Sequence, residues 1–396
     1  MSEQELALGP EEAPAWPAGG ALARPAENEP ARRPADAPAQ DASPSASGVH
    51  SGADYALPAQ TAALIREAVP ENTALAYRSR WRSFGDWCRD AGRVALPATT
   101  QTVAAYLAHL AVDRGLKATT AGAHLTAIRA VHRSAGARLP DGLAARKVVV
   151  AAQRREAARD GRYGPRKAVP VMAADLPAII AACDLETAAG LRDRAVILLG
   201  FALLARRAEL AALNLSDVEH VPGAGLAVTI RASKTDQAAR GVVRRVHYAS
   251  AEALCPVRAV LAWTEYLAAR GITAGPLFTR VDRWGNLGAG AGGRYAGAAP
   301  GREPLASRDG RLRPQAIGDI TAAACEAAGL AVSPEAPRRY SGHSLRRGGA
   351  TSMLKAGAQP LNVSRHGRWA DGSRAFAGYV EEASGFGDAN PTKDLL

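Results

Sequence analysis

The stretch from residue 340 to residue 380 constrains the fold and chemistry of this chain more than any other. It holds His343 and Arg346 in the pattern H-x-x-R, followed by Trp369 and Tyr379. A guanidinium fork pairs with two phosphate oxygens, an imidazole can give or take a proton, and a tyrosine hydroxyl can attack phosphorus. Chance or a helix-face pair explains most isolated H-x-x-R patterns. The stretch therefore indicates phosphate chemistry only if further cations occur elsewhere.

Two such cations occur upstream, each in a short motif of its own. Arg206 follows the apolar run 197–204 in the pattern R-x-x-E-L, and Glu209 lies three residues later, where it can hold the guanidinium in place on a helix. Lys234 stands in Ser-Lys-Thr-Asp-Gln between two alternating segments, which predicts the turn of a β-hairpin. Each residue alone would fit a surface or ion-pair role. Their order along the chain, together with H-x-x-R and the tyrosine, indicates phosphate chemistry.

Taken in order, these motifs resemble the active site of the tyrosine recombinase (phage integrase) family. That site reads Arg, Lys, His-x-x-Arg, His or Trp, and Tyr, and the matching residues are Arg206, Lys234, His343, Arg346, Trp369 and Tyr379. The resemblance covers roughly residues 60–380. In one respect the chain departs from the commonest members, because Tyr379 lies one residue further past Trp369.

The roles of the cations follow from phosphodiester chemistry. Arg206 and Arg346 would stabilise the negative charge that develops on the nonbridging oxygens of the phosphate. Lys234, at the tip of a hairpin, would protonate the departing 5′ oxygen. Together these three residues supply the positive charge that a metal ion would otherwise bring.

The remaining candidates would handle the nucleophile. Tyr379 would attack phosphorus and leave a 3′-phosphotyrosine and a free 5′ hydroxyl, and His343 would assist proton transfer at the tyrosine or at the phosphate. Trp369 would donate its indole N–H to a phosphate oxygen. His366, three residues earlier, is the competing candidate for that position, and the offset from Arg346 favours Trp369.

The resemblance implies a mainly α-helical chain with a small antiparallel β-sheet. A helical core-binding (SAM-like) domain and an α+β catalytic domain would form a C-shaped DNA clamp. Composition and periodicity predict a disordered, acidic, Ala/Pro-rich tail over 1–57, a helical domain over 58–158, a basic linker over 159–171, and a further domain over 172–396 with a flexible Gly-rich loop at 285–310. The resemblance identifies the helical domain as the core-binding domain and the last one as the catalytic domain.

Helical stripes define the predicted core-binding domain. The first predicted helix has one apolar face formed by Tyr77, Trp81, Phe84 and Cys88. A second helix covers 99–113, and a fourth covers 141–158. Between them, a third helix has an apolar stripe of Leu125, Ile128 and Val131. Polar residues assigned to other faces are candidate DNA contacts: Lys117, Thr120, His124, Arg129, Lys147 and Arg154. A solvated helix face is an equally good reading for any one of them.

Charge also favours a polyanionic partner. The net charge is +11, but residues 1–57 carry nine acidic and three basic residues, so the remainder carries +17. A basic body is typical of proteins that bind DNA, and a basic solvated surface is the alternative. We expect double-stranded DNA as the partner and, as the resemblance implies, self-association to a tetramer on it.

The sequence predicts no cofactor. It contains no zinc, EF-hand or paired-carboxylate metal pattern, and the cysteines Cys88, Cys183, Cys255 and Cys325 are widely spaced without C-x-x-C, which is typical of a reduced cytoplasmic protein. No apolar run is long enough for a membrane span. The function that the resemblance implies is site-specific recombination, independent of metal and ATP. A type IB topoisomerase-like enzyme and a DNA-binding relative without catalysis are the alternatives.

Overall fold

The computed structural model describes residues 68–160, 168–231, 241–288, 309–330 and 340–385, and positions 58, 60 and 61. Two compact units divide the chain between residues 165 and 166. Several interpreted segments lie outside the described residues: the acidic tail 1–57, most of the linker, the Lys234 turn, most of the loop 285–310, and the last residues of the chain.

The described part of the first unit is helical. It contains α1 (Glu71–Asp90), α2 (Thr100–Ala108) with a π-helical turn (His109–Asp113), α3 (Ala118–Ser134) and α4 (Gly142–Asp160). The predicted stripes meet in one core, where Phe84 packs against Tyr106 with ring centroids 5.0 Å apart. The threonine at position 99 caps α2 by accepting a hydrogen bond from the Thr102 backbone N–H at 3.1 Å.

One predicted outward residue of this unit is buried instead. His124 is only 8% exposed, and its Nδ1 lies 3.0 Å from the hydroxyl of Tyr106. Ala118 and Ala121 are also buried, so the buried face of α3 is wider than the stripe of large apolar residues. The placement of His124 on an outward face of α3 is therefore wrong.

The second unit combines helices with a small sheet. Its described elements are α5 (Leu176–Ala181), α6 (Ala188–Ala202), α7 (Arg207–Ala212), β1 (Val218–Val221), β2 (Gly225–Ile230), β3 (Val242–His247), α8 (Pro256–Ala268), α9 (Pro314–Ala327), α10 (Gly342–Lys355), α11 (Pro360–Gly367) and α12 (Arg374–Ser384). Short 3₁₀ turns precede α5, β1 and α8.

The strands run antiparallel in the order β1-β2-β3. The β2–β3 register pairs Gly225 with His247 and Ile230 with Val242, which confirms that the two segments on either side of Lys234 pair as antiparallel strands. Strand β1 was not predicted. The fold class of a mainly helical chain with a small antiparallel sheet is confirmed.

Helices α6, α8 and α10 lie at the centre of the second unit. Trp263 on α8 is fully buried, and its indole N–H donates to the carbonyl of Leu277 at 2.7 Å. Helix α6 is buried over six consecutive residues, 195–200, and leads directly into the turn before Arg206. The fold thus fixes the end of α6 firmly, and the candidate site lies at that end.

Candidate active site

Arg206 is the N-cap residue of helix α7 and is held there by Glu209. The Arg206 backbone N–H donates to Oε2 of Glu209 at 2.9 Å, and its Nη1 donates to Oε1 at 2.6 Å. Burial alone would raise the pKa of the Glu209 carboxyl, but the nearby Arg368 and Arg206 hold it below its ordinary value. The carboxylate therefore stays charged and fixes the guanidinium of Arg206.

Arg346 lies on α10 and is only 1% exposed. Its Nη1 donates to the carbonyl oxygen of Leu204, and its guanidinium carbon lies 3.8 Å from the ring centroid of Trp369. Among the described residues, Nη2 has no hydrogen-bond partner. Burial and the neighbouring Arg206 lower the pKa of Arg346 to about 9, so the group remains a cation at neutral pH.

Tyr379 lies on α12 and meets His343, in the first turn of α10, at the edge of the site. The Tyr379 hydroxyl lies 3.0 Å from Nε2 of His343. Burial lowers the pKa of His343, with further lowering by Arg346 and Arg347. Burial raises the pKa of Tyr379. At neutral pH a neutral imidazole is thus placed to accept the proton of a neutral phenol.

Trp369, and not His366, faces these groups. The Trp369 ring stacks on Arg346 and meets the Tyr379 ring edge-on, with centroids 5.6 Å apart. A Cβ at Gly367 would lie 1.8 Å from the Trp369 ring, so glycine is needed for this conformation. His366 instead uses Nε2 to donate to the carbonyl of Ala202 at 2.8 Å.

Five of the six predicted catalytic residues therefore come together, and the sixth, Lys234, lies outside the described residues. Of the other DNA-contact candidates, all in the first unit, Lys117, Lys147 and Arg154 are exposed and Thr120 and Arg129 are partly buried. Arg129 donates from Nη1 to the carbonyl of Pro140 at 2.6 Å. Their contact with DNA stays a prediction.

Sequence reasoning missed two arginines of the site. Arg347 pairs with Glu382 and so ties α10 to α12, the helix that carries Tyr379. Arg368 is 7% exposed and contacts Glu209. An arginine directly before Trp369 was the only signal for the second of these, and nothing in the sequence linked it to a glutamate far upstream.

No group of three or more His, Cys, Asp or Glu side chains that could hold a metal ion occurs in the part of the chain that the structure describes. None of the described helices is long and apolar enough to cross a membrane.

Comparison with known proteins shows the family of this chain. Residues 61–138 match the model of the phage integrase N-terminal SAM-like domain. An integrase/recombinase xerD homolog of Selenomonas ruminantium is 30% identical over 329 residues, which cover 82% of this chain and 85% of the relative. The chain belongs to the tyrosine recombinase family. Another member, recombinase cre of Escherichia phage P1, is 26% identical over 311 residues, or 77% of this chain and 82% of the relative.

Among solved structures, a lambda integrase dimer bound to a COC′ core site is similar to this tyrosine recombinase with a TM-score of 0.47 and 17% identity. The match covers 80% of this chain and 74% of that one.

Proposed function

We propose that this protein is a site-specific DNA recombinase that cuts and rejoins DNA strands through a 3′-phosphotyrosine at Tyr379. The observation that carries the proposal is the pair formed by Tyr379 and His343, 3.0 Å apart, beside the buried guanidinium of Arg346. These groups are a nucleophile, a base and a fixed cation, which are the parts that phosphodiester cleavage needs.

The cleavage step follows from these positions. The Tyr379 oxygen attacks phosphorus while its proton passes to Nε2 of His343. Arg206 and Arg346 stabilise the added charge on the nonbridging oxygens. The bond from phosphorus to the 5′ oxygen breaks, and Lys234 gives that oxygen a proton. The products are a 3′-phosphotyrosine and a 5′ hydroxyl.

Religation reverses this step with the 5′ hydroxyl of a second strand as nucleophile. The covalent link keeps one phosphodiester bond for each bond broken, so the cycle requires no ATP. Arg206, Arg346 and Lys234 supply the positive charge that a metal ion would otherwise bring. Exchange between two duplexes breaks four strands, and one tyrosine serves each break. A tetramer on DNA meets this requirement.

Two alternatives use similar residues. A type IB topoisomerase-like enzyme would nick and reseal one duplex without exchanging strands, and a non-catalytic relative would only bind DNA. The family relatives are named as recombinases, which favours exchange, and the assembled His343, Arg346 and Tyr379 argue against lost chemistry. We expect the protein to act on DNA in the cytoplasm of a bacterium, on behalf of the bacterium or of a mobile element.

The test begins with a pool of nicked duplexes of randomised sequence. Covalent capture on the protein, followed by sequencing, gives the preferred site. Two plasmids that carry this site are then incubated with the protein. Site-dependent joining of the two plasmids is the expected result. Relaxation of a supercoiled plasmid without joining would support the topoisomerase reading, and binding without a covalent adduct would support the non-catalytic one.

A further inference from the structure

Arg368 is a buried side chain to which the reaction above assigns no part. It ends helix α11 with a φ of 60°, a left-handed conformation that residues other than glycine rarely adopt. Its guanidinium donates to Oε2 of Glu209 at 2.7 Å and to the carbonyls of His366 at 3.1 Å, Leu203 at 3.3 Å and Leu204 at 3.4 Å. The backbone conformation of Arg368 is strained, and its guanidinium makes four hydrogen bonds, three of them buried.

The contact with Glu209 links Arg368 to the first phosphate-binding arginine. Oε1 of Glu209 accepts from the Arg206 guanidinium, while Oε2 is shared between the Arg206 backbone N–H and Arg368. Glu209 is 5% exposed, so loss of either partner leaves part of a buried carboxylate without a cation. The orientation of Arg206 therefore depends on the hydrogen bonds to both carboxylate oxygens of Glu209.

The contact with Leu204 links Arg368 to the second phosphate-binding arginine. The Leu204 carbonyl accepts from Nη2 of Arg368 and from Nη1 of Arg346. Leu204 itself has a φ of 50°, and its side chain is fully buried. Leu204 and Arg368 are the two non-glycine residues with positive φ in the described part of the chain, and a hydrogen bond joins them.

We propose that Arg368 is a positioning residue that fixes the orientation of both phosphate-binding arginines. It acts on Arg206 through Glu209 and on Arg346 through the Leu204 carbonyl. This inference rests on the proposed recombinase chemistry. A planar guanidinium can reach a carboxylate and several carbonyls at once, whereas a lysine ammonium offers a single point of charge. Arg368 also offsets the charge of Glu209, so the positive charge of Arg206 and Arg346 remains available to the phosphate.

The first test compares Arg368→Gly with wild type in single-turnover cleavage of a nicked duplex that carries the selected site. Glycine suits the left-handed backbone, so this variant removes the guanidinium without adding strain. We expect cleavage to fall on the order of 10- to 100-fold, as is typical when a group that orients a functional side chain is lost, with little change in DNA affinity. Arg368→Lys should recover only part of the rate. Arg365→Ala removes a nearby exposed arginine and should leave the cleavage rate unchanged.

The second readout separates positioning from general structural support. A scissile methylphosphonate has a methyl group in place of one nonbridging oxygen and carries no negative charge, so its cleavage depends less on the arginines. Arg368→Gly should therefore lose much less rate on the methylphosphonate than on the phosphate, as Arg206→Ala should. A wild-type rate in Arg368→Gly, or an equal loss on both substrates, would overturn the proposal.

A double-mutant comparison tests the route through Glu209. If Arg368 orients Arg206 through this carboxylate, the loss in Glu209→Gln/Arg368→Gly should be clearly smaller than the product of the two single losses. Fully multiplicative losses would contradict that route. Tyr379→Phe, which lacks the nucleophile, is the control that should form no covalent adduct. If the wild-type protein also formed none, the recombinase function would be overturned and this inference with it.

Discussion

The hydroxyl of Tyr379 lies 3.0 Å from Nε2 of His343, and the two side chains come from different helices, α12 and α10. The environment moves their pKa values apart. Burial and the arginines lower that of His343, and burial raises that of Tyr379. The tyrosine thus keeps its proton at neutral pH, and the imidazole is free to accept it.

The pH profile of cleavage should reflect this pair. His343 acts in its neutral form and its pKa lies below the ordinary 6.5, so the rate should stay level down to that pH and fall only at more acidic values. His343→Gln should lose about 10²- to 10⁴-fold, the usual contribution of a general base. The rate of that variant should rise with pH as Tyr379 ionises. Single-turnover rates across pH measure both effects, and identical profiles would contradict the assigned base.

Arg346 and Lys234 should differ in how their variants respond to the leaving group. Arg346→Ala should lose on the order of 10²-fold or more, by analogy with the loss of an oxyanion donor. Lys234→Ala should lose protonation of the 5′ oxygen. A 5′-bridging phosphorothioate has a thiolate leaving group, which needs no proton, so it should largely rescue Lys234→Ala and leave Arg346→Ala slow. Equal rescue of both variants would refute this division of roles.

Gly348 on α10 should not tolerate a larger residue, because the backbone at Val171 passes close to its Cα. A Cβ at this position would lie 1.6 Å from the carbonyl oxygen of Val171. Gly348→Ala should destabilise the second unit by about 1–3 kcal/mol, as overpacking does. Gly85 on α1 is a matched helical control with nothing within 4 Å of an added Cβ, and Gly85→Ala should stabilise the first unit by about 0.5–1 kcal/mol. Hydrogen exchange of the amides in α10 and α1 measures both changes, and unaltered protection of α10 would contradict the packing described here.

DNA affinity should fall steeply with salt. The chain after residue 57 carries +17, and log K should fall against log salt with a slope of about −0.9 for each phosphate neutralised. Deletion of residues 1–57, which carry −6, should not weaken binding. Titration of a labelled duplex at several salt concentrations measures the slope, and a nearly flat response would argue against a DNA partner.

Motifs with specific chemistry made much of the site predictable. H-x-x-R, the R-x-x-E-L motif and the downstream tyrosine each imply a role in phosphate chemistry, so His343, Arg346, Arg206 and Tyr379 could be named before any geometry was known. Arg368 could not, because its partner Glu209 is 159 positions away in the chain and meets it only through a left-handed turn.

The periodicity of apolar residues predicted the positions of the helices well. It did not predict burial correctly where small or polar residues, rather than large apolar ones, face the core. The polar ring of His124 is buried because small alanines extend the core face of α3 and Tyr106 offers a hydroxyl. Strand β1 reads Val-Glu-His-Val and has only partly buried or exposed residues, so its sequence lacks the alternation of a half-buried strand. Its pairing with β2 forms the edge of the sheet.

The most direct test of the account is to identify the residue that becomes covalently attached to DNA. Wild-type protein is incubated with the nicked selected duplex in excess EDTA, and the adduct is digested and mapped by mass spectrometry. The account predicts a 3′-phosphotyrosine at Tyr379, formed without metal, and no adduct in Tyr379→Phe despite normal DNA binding. An adduct on another residue, its persistence in Tyr379→Phe, or its loss in EDTA would contradict the mechanism.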